Sequence, residues 1–284
     1  MSLYKSNEEV EIQRESCLMV SRTITEVAKV IKPGITTLSL DTLAETFIRD
    51  KGGIPACKGY HGFPYALCIS INEQVVHGFP GQHVIKDGDL ITIDTVVLKN
   101  GFHGDHAYTF IVGETTPEIL QFVKVTKDSL YVGIKQATTG NRVGDIGYAI
   151  EQYTNGQYGY GVVREMVGHG VGRQMHEDPQ VPNYGRRGSG KKLMENMVLA
   201  IEPMITMGGR DIYTLEDGWT IATEDDSLAA HFEHNVCVKK GEPIILSDFS
   251  IIEAAEKGNS NTSRAGNMLQ REKHGTRQWL IGRH

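Results

Sequence analysis

Six side chains of metal-ligand type are spread along this 284-residue chain: His77, Asp94, Asp105, His169, Glu202 and Glu233. Each sits in a short segment of its own: Val76-His77-Gly78, Thr92-Ile93-Asp94, His103-Gly104-Asp105, Gly168-His169-Gly170, Ile201-Glu202-Pro203 and Phe232-Glu233-His234. Carboxylates outnumber imidazoles and no Cys is among them. That mix suits a pair of divalent ions, and such a pair activates water for hydrolysis. Taken singly, the residues are ambiguous. Glu202 ends one apolar run and Glu233 opens another, so each needs a partner once buried. An Arg or Lys would serve as well as a metal. His169 between glycines also reads as a turn residue, and His77 after Val75-Val76 as a core imidazole. Only the set points to an oxygen-rich hydrolytic centre.

Two of the six can be placed by strand geometry. Asn100-Gly101 is a two-residue hairpin signal between apolar runs. With that turn, Asp94 opposes Ala107 and Asp105 opposes Val96. Both carboxylates then share one face as diagonal neighbours, their Cα atoms about 7–8 Å apart. A three-residue loop would put them on opposite faces.

Other elements must bring the remaining residues together. Ser6 to Lys32 reads as an amphipathic helix with a Ser6/Glu9 capping box; Val10, Cys17, Ile24, Val27 and Ile31 face inward, and Pro33-Gly34 stops it. A second helix fits Leu38–Lys51, with Leu40, Leu43, Phe47 and Ile48 inward. Helical spacing returns at Glu118–Lys135 and Val143–Tyr153. Strands are expected at Ala66–Ile71, Leu90–Leu98, Phe102–Val112, Val162–Met166, Met197–Glu202, Trp219–Thr223 and Glu233–Lys239. A faint repeat runs through the pattern. Hydrophobic, acidic and aromatic residues fall at the sixth, eleventh and thirteenth positions after Gly34 (Leu40, Glu45, Phe47), and again after Gly140 (Ile146, Glu151, Tyr153). It implies two α+β halves related by a pseudo-twofold, with a site between them.

Bulk properties narrow the function classes. The net charge of −6 argues against a surface built to grip nucleic acid. The four cysteines (Cys17, Cys57, Cys68, Cys237) are dispersed and read as reduced thiols. The charged opening segment has no apolar core, so no signal peptide is expected, and no apolar run approaches the ~18 residues of a membrane span. A cytoplasmic protein is expected, with residues 1–250 as one catalytic domain. Residues 251–284 read as a polar, basic tail outside the core, either unstructured or a ribosome or RNA contact.

The segments INEQVVHGFP, TIDTVV, NGFHGD, GHGVGRQMHEDP, AIEPM, DGWTIAT and FEHNV, in that order from about Ser6 to Ser247, resemble the type I methionine aminopeptidases in their short bacterial form. The resemblance implies the α+β pita-bread fold, with two pseudo-twofold-related halves around a central antiparallel sheet. It implies removal of an N-terminal (initiator) methionine ahead of a small second residue, from peptides and nascent chains. It also implies two divalent ions (Co, Mn, Fe or Zn) per chain. Asp94, Asp105, His169, Glu202 and Glu233 would be the ligands, with Asp105 and Glu233 shared between the ions. His77 and His176 would then contact substrate, and Glu202 would also carry the proton. Cys57, Tyr60, Phe63, Cys68 and Trp219 would form the methionine pocket, with soft and aromatic groups that suit a thioether; each is also an ordinary core residue type. His61 would lie at the pocket mouth. Nothing in the sequence suggests an obligate partner, so a monomer is expected, with no membrane or specific nucleic-acid partner and at most a transient ribosome contact.

Several positions depart from the family pattern, among them Thr139-Gly140, which stands where Pro-Gly is common. Met175 stands where an aromatic is usual, Ala200 where a Thr is usual, and Asn235 in place of the Thr of Glu-His-Thr. The last two alter hydrogen bonding around the ligands rather than the ligands themselves. His106 follows Asp105 on an alternating strand and should face away from the site. The competing class is a ribosome- or protein-binding pita-bread protein with weak or no peptidase activity. Loss of one of the five ligands would favour it, and none is lost.

Overall fold

The structure is a computed structural model that describes residues 4–262. Five helices are α1 (Asn7–Val30), α2 (Thr37–Asp50), α3 (Pro117–Ile134), α4 (Val143–Tyr158) and α5 (Phe249–Gly258). Local chemistry starts them, at α1 through the expected capping box. The Ser6 hydroxyl accepts the Glu9 N–H, and the Glu9 carboxylate accepts the Ser6 N–H. Thr116 caps α3 with Pro117 in its first turn. Helix α4 continues past the expected Tyr153 to Tyr158, where Gly159 takes a left-handed φ of 75°. All five residues assigned to the inner face of α1 are buried. On α2, Leu40 and Ile48 are buried, while Leu43 and Phe47 are only half-buried.

The hairpin forms in the expected register. Asn100 and Gly101 both have positive φ (51° and 79°), the backbone of a tight two-residue turn. Strand Leu90–Lys99 pairs with Phe102–Ile111, so that Asp94 faces Ala107 and Val96 faces Asp105. On its other edge Leu90–Lys99 pairs with Cys68–Ile71 and Ile54–Pro55. In the second half, Val198–Ile201 pairs with His234–Cys237, which leaves Glu202 and Glu233 together just beyond the paired ends. The sheets meet at one seam. The Glu233 N–H donates to the Ala107 carbonyl (3.0 Å), and the Asp105 N–H donates to Asn235 Oδ1 (2.8 Å). The ligand-type residues of the two halves lie along that seam.

The faint repeat has a structural counterpart. Gly34 and Gly140 both adopt left-handed φ (90° and 104°), and each stands shortly before the second helix of a pair. Helix α1 lies across the hairpin and pins it with buried polar groups. Ser16 Oγ donates to the carbonyls of Lys99 and Phe102, and Gln13 Nε2 to those of His103 and Val171. Contact is closest at Gly104, where a Cβ would run into the backbone of Ser16 and Cys17. Gly104→Ala is therefore expected to destabilise the protein by about 1–3 kcal/mol in urea unfolding. A change below about 0.5 kcal/mol would show that α1 can retreat.

Some elements differ from expectation. Val162–Met166 is a strand only at Gly161–Val162, because the chain turns away after Val163 bonds to Met204. Trp219 and Thr220 lie in a turn around the Asp217 carboxylate, so that strand begins at Ile221. Short strands at Gln74–Val76, Glu177–Val181, Met204–Thr206, Ile212–Thr214 and Ala229–His231 were not anticipated. Nor was α5. Phe249 and Ile252 are buried in the main core, so the packed body runs past the domain boundary expected at residue 250. The expected tail from residue 263 onward lies outside the described residues. Among the described residues, no helix is long and apolar enough to cross a membrane.

Candidate metal centre and substrate cavity

The seam opens into a cavity of about 550 Å³. Twelve of the thirteen residues placed at the site from the sequence line it: Cys57, Tyr60, Phe63, Cys68, His77, Asp94, Asp105, His169, His176, Glu202, Trp219 and Glu233. His61 does not; it is exposed and stands edge-on to Tyr60.

Carboxylate oxygens of Asp94, Asp105 and Glu233 lie within 4.8 Å of one another. His169 Nε2 is 3.7 Å from Asp105 Oδ2 and 3.6 Å from Glu202 Oε1. Asp105, Glu202 and Glu233 are buried, while Asp94 and His169 are half-buried. Among the described residues no Lys or Arg pairs with any of the four carboxylates, and Glu233 Oε1 has no hydrogen-bond partner. The electrostatic consequence is severe. Burial pushes Glu202 up to about 8, and burial with repulsion from Glu202 pushes Asp94 up to about 6. Burial and then the neighbouring carboxylates hold Asp105 and Glu233 well above their ordinary range. Buried like charges without cations are strongly unfavourable. Two divalent ions would supply the missing positive charge, and four carboxylates with one imidazole are the donors such ions accept. The residues present therefore fit a dinuclear metal group.

The glycines beside His169 have a packing cause. A Cβ on Gly168 would strike the Ala200 carbonyl, and one on Gly170 the Asp178 carbonyl. His169 thus reaches the centre from a strand wedged tightly between two others.

The rest of the cavity divides into a wall and a rim. Cys57, Phe63, Cys68, Val96 and Met175 form a small buried apolar cluster against which Tyr60 and Trp219 pack. Cavity lining and local core are thus the same residues. Met175 is part of this wall, a flexible side chain where a ring was expected. At the rim, His77 holds a left-handed φ of 59°, edge-on to Trp219. Burial lowers its pKa to about 4, so the ring is neutral near pH 7. His176 Nδ1 lies 2.7 Å from the Tyr60 hydroxyl, and its ring meets His169 edge-on at 4.3 Å. Desolvation, with His61 and His103 adding, holds His176 below its ordinary pKa.

His106 faces away, as alternation requires, and stacks on His234 and Phe249. Asn235 Oδ1 accepts from both the Asp105 N–H and the Cys17 thiol. One residue in the centre was missed from the sequence: His231 Nε2 lies 3.5 Å from Glu202 Oε2. Its segment, Ala230-His231-Phe232, carries no signal beyond its nearness to Glu233.

The sequence profile of metallopeptidase family M24 matches residues 11–240. The chain belongs to this family. Among similar relatives of this M24 peptidase, a methionine aminopeptidase of Clostridium acetobutylicum is 47% identical over 248 residues, covering 87% of this chain and 99% of that protein. Methionine aminopeptidase 1 of Bacillus subtilis is 47% identical over 238 residues, covering 84% and 96%. The crystal structure of a methionine aminopeptidase from Thermotoga maritima matches with a TM-score of 0.84 at 41% identity, covering 86% of this chain and 98% of that one. A prolidase from Pyrococcus horikoshii matches at 0.70 with 19% identity, a likeness of fold alone. The M24 peptidase has the pita-bread architecture that the resemblance implied, and as a metallopeptidase it is a metal-dependent hydrolase.

Proposed function

We infer that this M24 peptidase removes the N-terminal methionine from peptides and nascent chains in the cytoplasm when the second residue is small. The observation that carries the reading is a juxtaposition. A carboxylate-rich cluster without Lys or Arg counter-ions opens directly onto a wall of sulfur-bearing and aromatic side chains. The five side chains Asp94, Asp105, His169, Glu202 and Glu233 would hold two divalent ions. When bound, these ions lower the pKa of water and polarise a carbonyl. The identity of the ions is open among Mn, Fe, Co and Zn, all of which accept this donor set.

The chain's own groups divide the remaining work. Cys57, Phe63, Cys68, Met175 and Trp219 take up the thioether side chain and exclude water from it. Glu202 accepts a proton from the attacking water and passes it to the leaving nitrogen. When the Tyr60 hydroxyl donates to His176 Nδ1, the ring proton sits on Nε2, free to donate to the scissile oxygen as it gains charge. His77, also neutral, contacts the same peptide bond from the other side. The intact set of five acidic and imidazole side chains supports an enzyme over a binding-only protein.

The metal-loaded protein is expected to release methionine from Met-Ala-Ser and to leave Met-Lys-Ser intact, read by mass spectrometry with Mn(II), Co(II) and Fe(II) in turn. Failure on Met-Ala-Ser with every metal would sink the aminopeptidase reading. Equal cleavage of both peptides would sink only the small-residue rule.

A further inference from the structure

His231 has no part in the mechanism above, yet it is the imidazole nearest to Glu202 Oε2. It ends the strand Ala229–His231, pairs with Met204 and is 1% exposed. Its main chain is held at both polar groups by one side chain. Thr109 Oγ1 donates to the His231 carbonyl at 2.7 Å and accepts its N–H at 3.0 Å. Thr109 is fixed in turn by Thr92 Oγ1 at 2.8 Å. The ring is thereby aimed at the metal centre, with Nε2 3.5 Å from Glu202 Oε2. Neither ring nitrogen has a hydrogen-bond partner among the described residues. The other Glu202 oxygen, Oε1, faces His169 Nε2 at 3.6 Å. The two oxygens of one carboxylate are thus divided between two imidazoles.

A buried ring nitrogen without a partner is costly unless something uses it. A separation of 3.5 Å exceeds a normal N–H···O bond. Catalytic hydrogen bonds are often long in the free protein and tighten in the complex. We propose that His231 is a positioning residue: its Nε2–H donates to Glu202 Oε2, sets the plane of that carboxylate, and so keeps Oε1 turned to His169 while Oε2 is held where it carries the proton. The inference rests on the role given to Glu202 above.

Three substitutions separate this hydrogen bond from simple packing. His231→Gln carries an amide nitrogen at the reach of imidazole Nε2. His231→Asn carries one only at the reach of Nδ1, and His231→Leu carries none. Each Mn(II)-loaded variant is assayed on Met-Ala-Ser, and Mn(II) affinity is measured by calorimetric titration. His231→Gln is expected to stay within about fivefold of wild type in kcat, while His231→Asn and His231→Leu lose about 10–100-fold in kcat and about tenfold in Mn(II) affinity, with KM moving less than about threefold. Should the Leu variant fail to fold, the Gln–Asn pair carries the comparison. Three wild-type-like variants, or a Gln variant as impaired as the Asn variant, would overturn the proposal. A wild-type protein inactive on Met-Ala-Ser would overturn the aminopeptidase reading instead. The Mn(II) titrations would then still decide for His231, since retained affinity in Gln with loss in Asn supports it and equal affinities refute it.

Discussion

Asp105→Asn is expected to lower turnover of Met-Ala-Ser by more than about a hundredfold while the protein stays folded. Removing a partner that merely orients a metal ligand costs about 10–100-fold, so removing a ligand that faces the other carboxylates should cost more. Asp105 has that position. Its carboxylate shares a 4.8 Å cluster with Asp94 and Glu233 and lies 3.7 Å from His169. The metal-free protein should respond in the opposite direction. Burial and repulsion from Asp94 and Glu202 hold the Asp105 carboxyl far above its usual range, so an uncharged amide of the same shape relieves the crowding. The chelated variant should melt about 2–4 °C above the chelated wild type, the shift that ~1 kcal/mol gives in a domain of this size. Activity near wild type would remove Asp105 from the centre. A lower melting temperature for the chelated variant would make it a structural residue instead.

Metal removal should matter most on the alkaline side. Glu202 is raised to about 8, and Asp105 and Glu233 stand well above their usual range, mainly through burial. A folded-state pKa above the unfolded one gives stability that is complete below the unfolded value and is lost as pH rises through the folded one. The imidazoles act in the other direction. His77 and His169 are lowered to about 4 and about 3, so they weaken the fold only on the acid side of the ordinary histidine value near ~6.5. Between roughly pH 6.5 and 8.5 the carboxylates are therefore the shifted groups of the centre that still titrate. The chelated protein should lose melting temperature across that window, at up to ~1.4 kcal/mol per pH unit for each carboxylate involved. The Mn(II)-loaded protein should lose little, because bound cations favour the ionised ligands. The gap between loaded and chelated melting temperatures should widen by several degrees across the window. A constant or shrinking gap would mean that these carboxylates are not what the metal compensates.

Much of the molecule was legible because its causes are local. The Ser6/Glu9 cap, the helix stop before Pro33-Gly34 and the Asn100-Gly101 turn each depend on a few adjacent residues. That turn carried the reading furthest, since a strand's period of two fixes every face once the register is set. Asp94 opposite Ala107 and Asp105 opposite Val96 followed from two turn residues. The failures share a different cause. Helix α5 was hidden because it is short and its apolar residues find their partners on α1, far away in sequence. Trp219 left its strand because the Asp217 carboxylate offers its backbone a competing set of hydrogen bonds.

By itself, then, the sequence named the candidate donors of the site, the hairpin that aligns two of their carboxylates, and the family to which the chain belongs. Only the tertiary structure decided which groups stand without counter-ions, and that Gly104 must be bare to admit α1. Only it showed that His231 faces Glu202. The physical reason is range. Turns, caps and strand alternation are set over a few residues, whereas burial, charge crowding and the approach of Glu202 to His231 arise when distant segments share one seam.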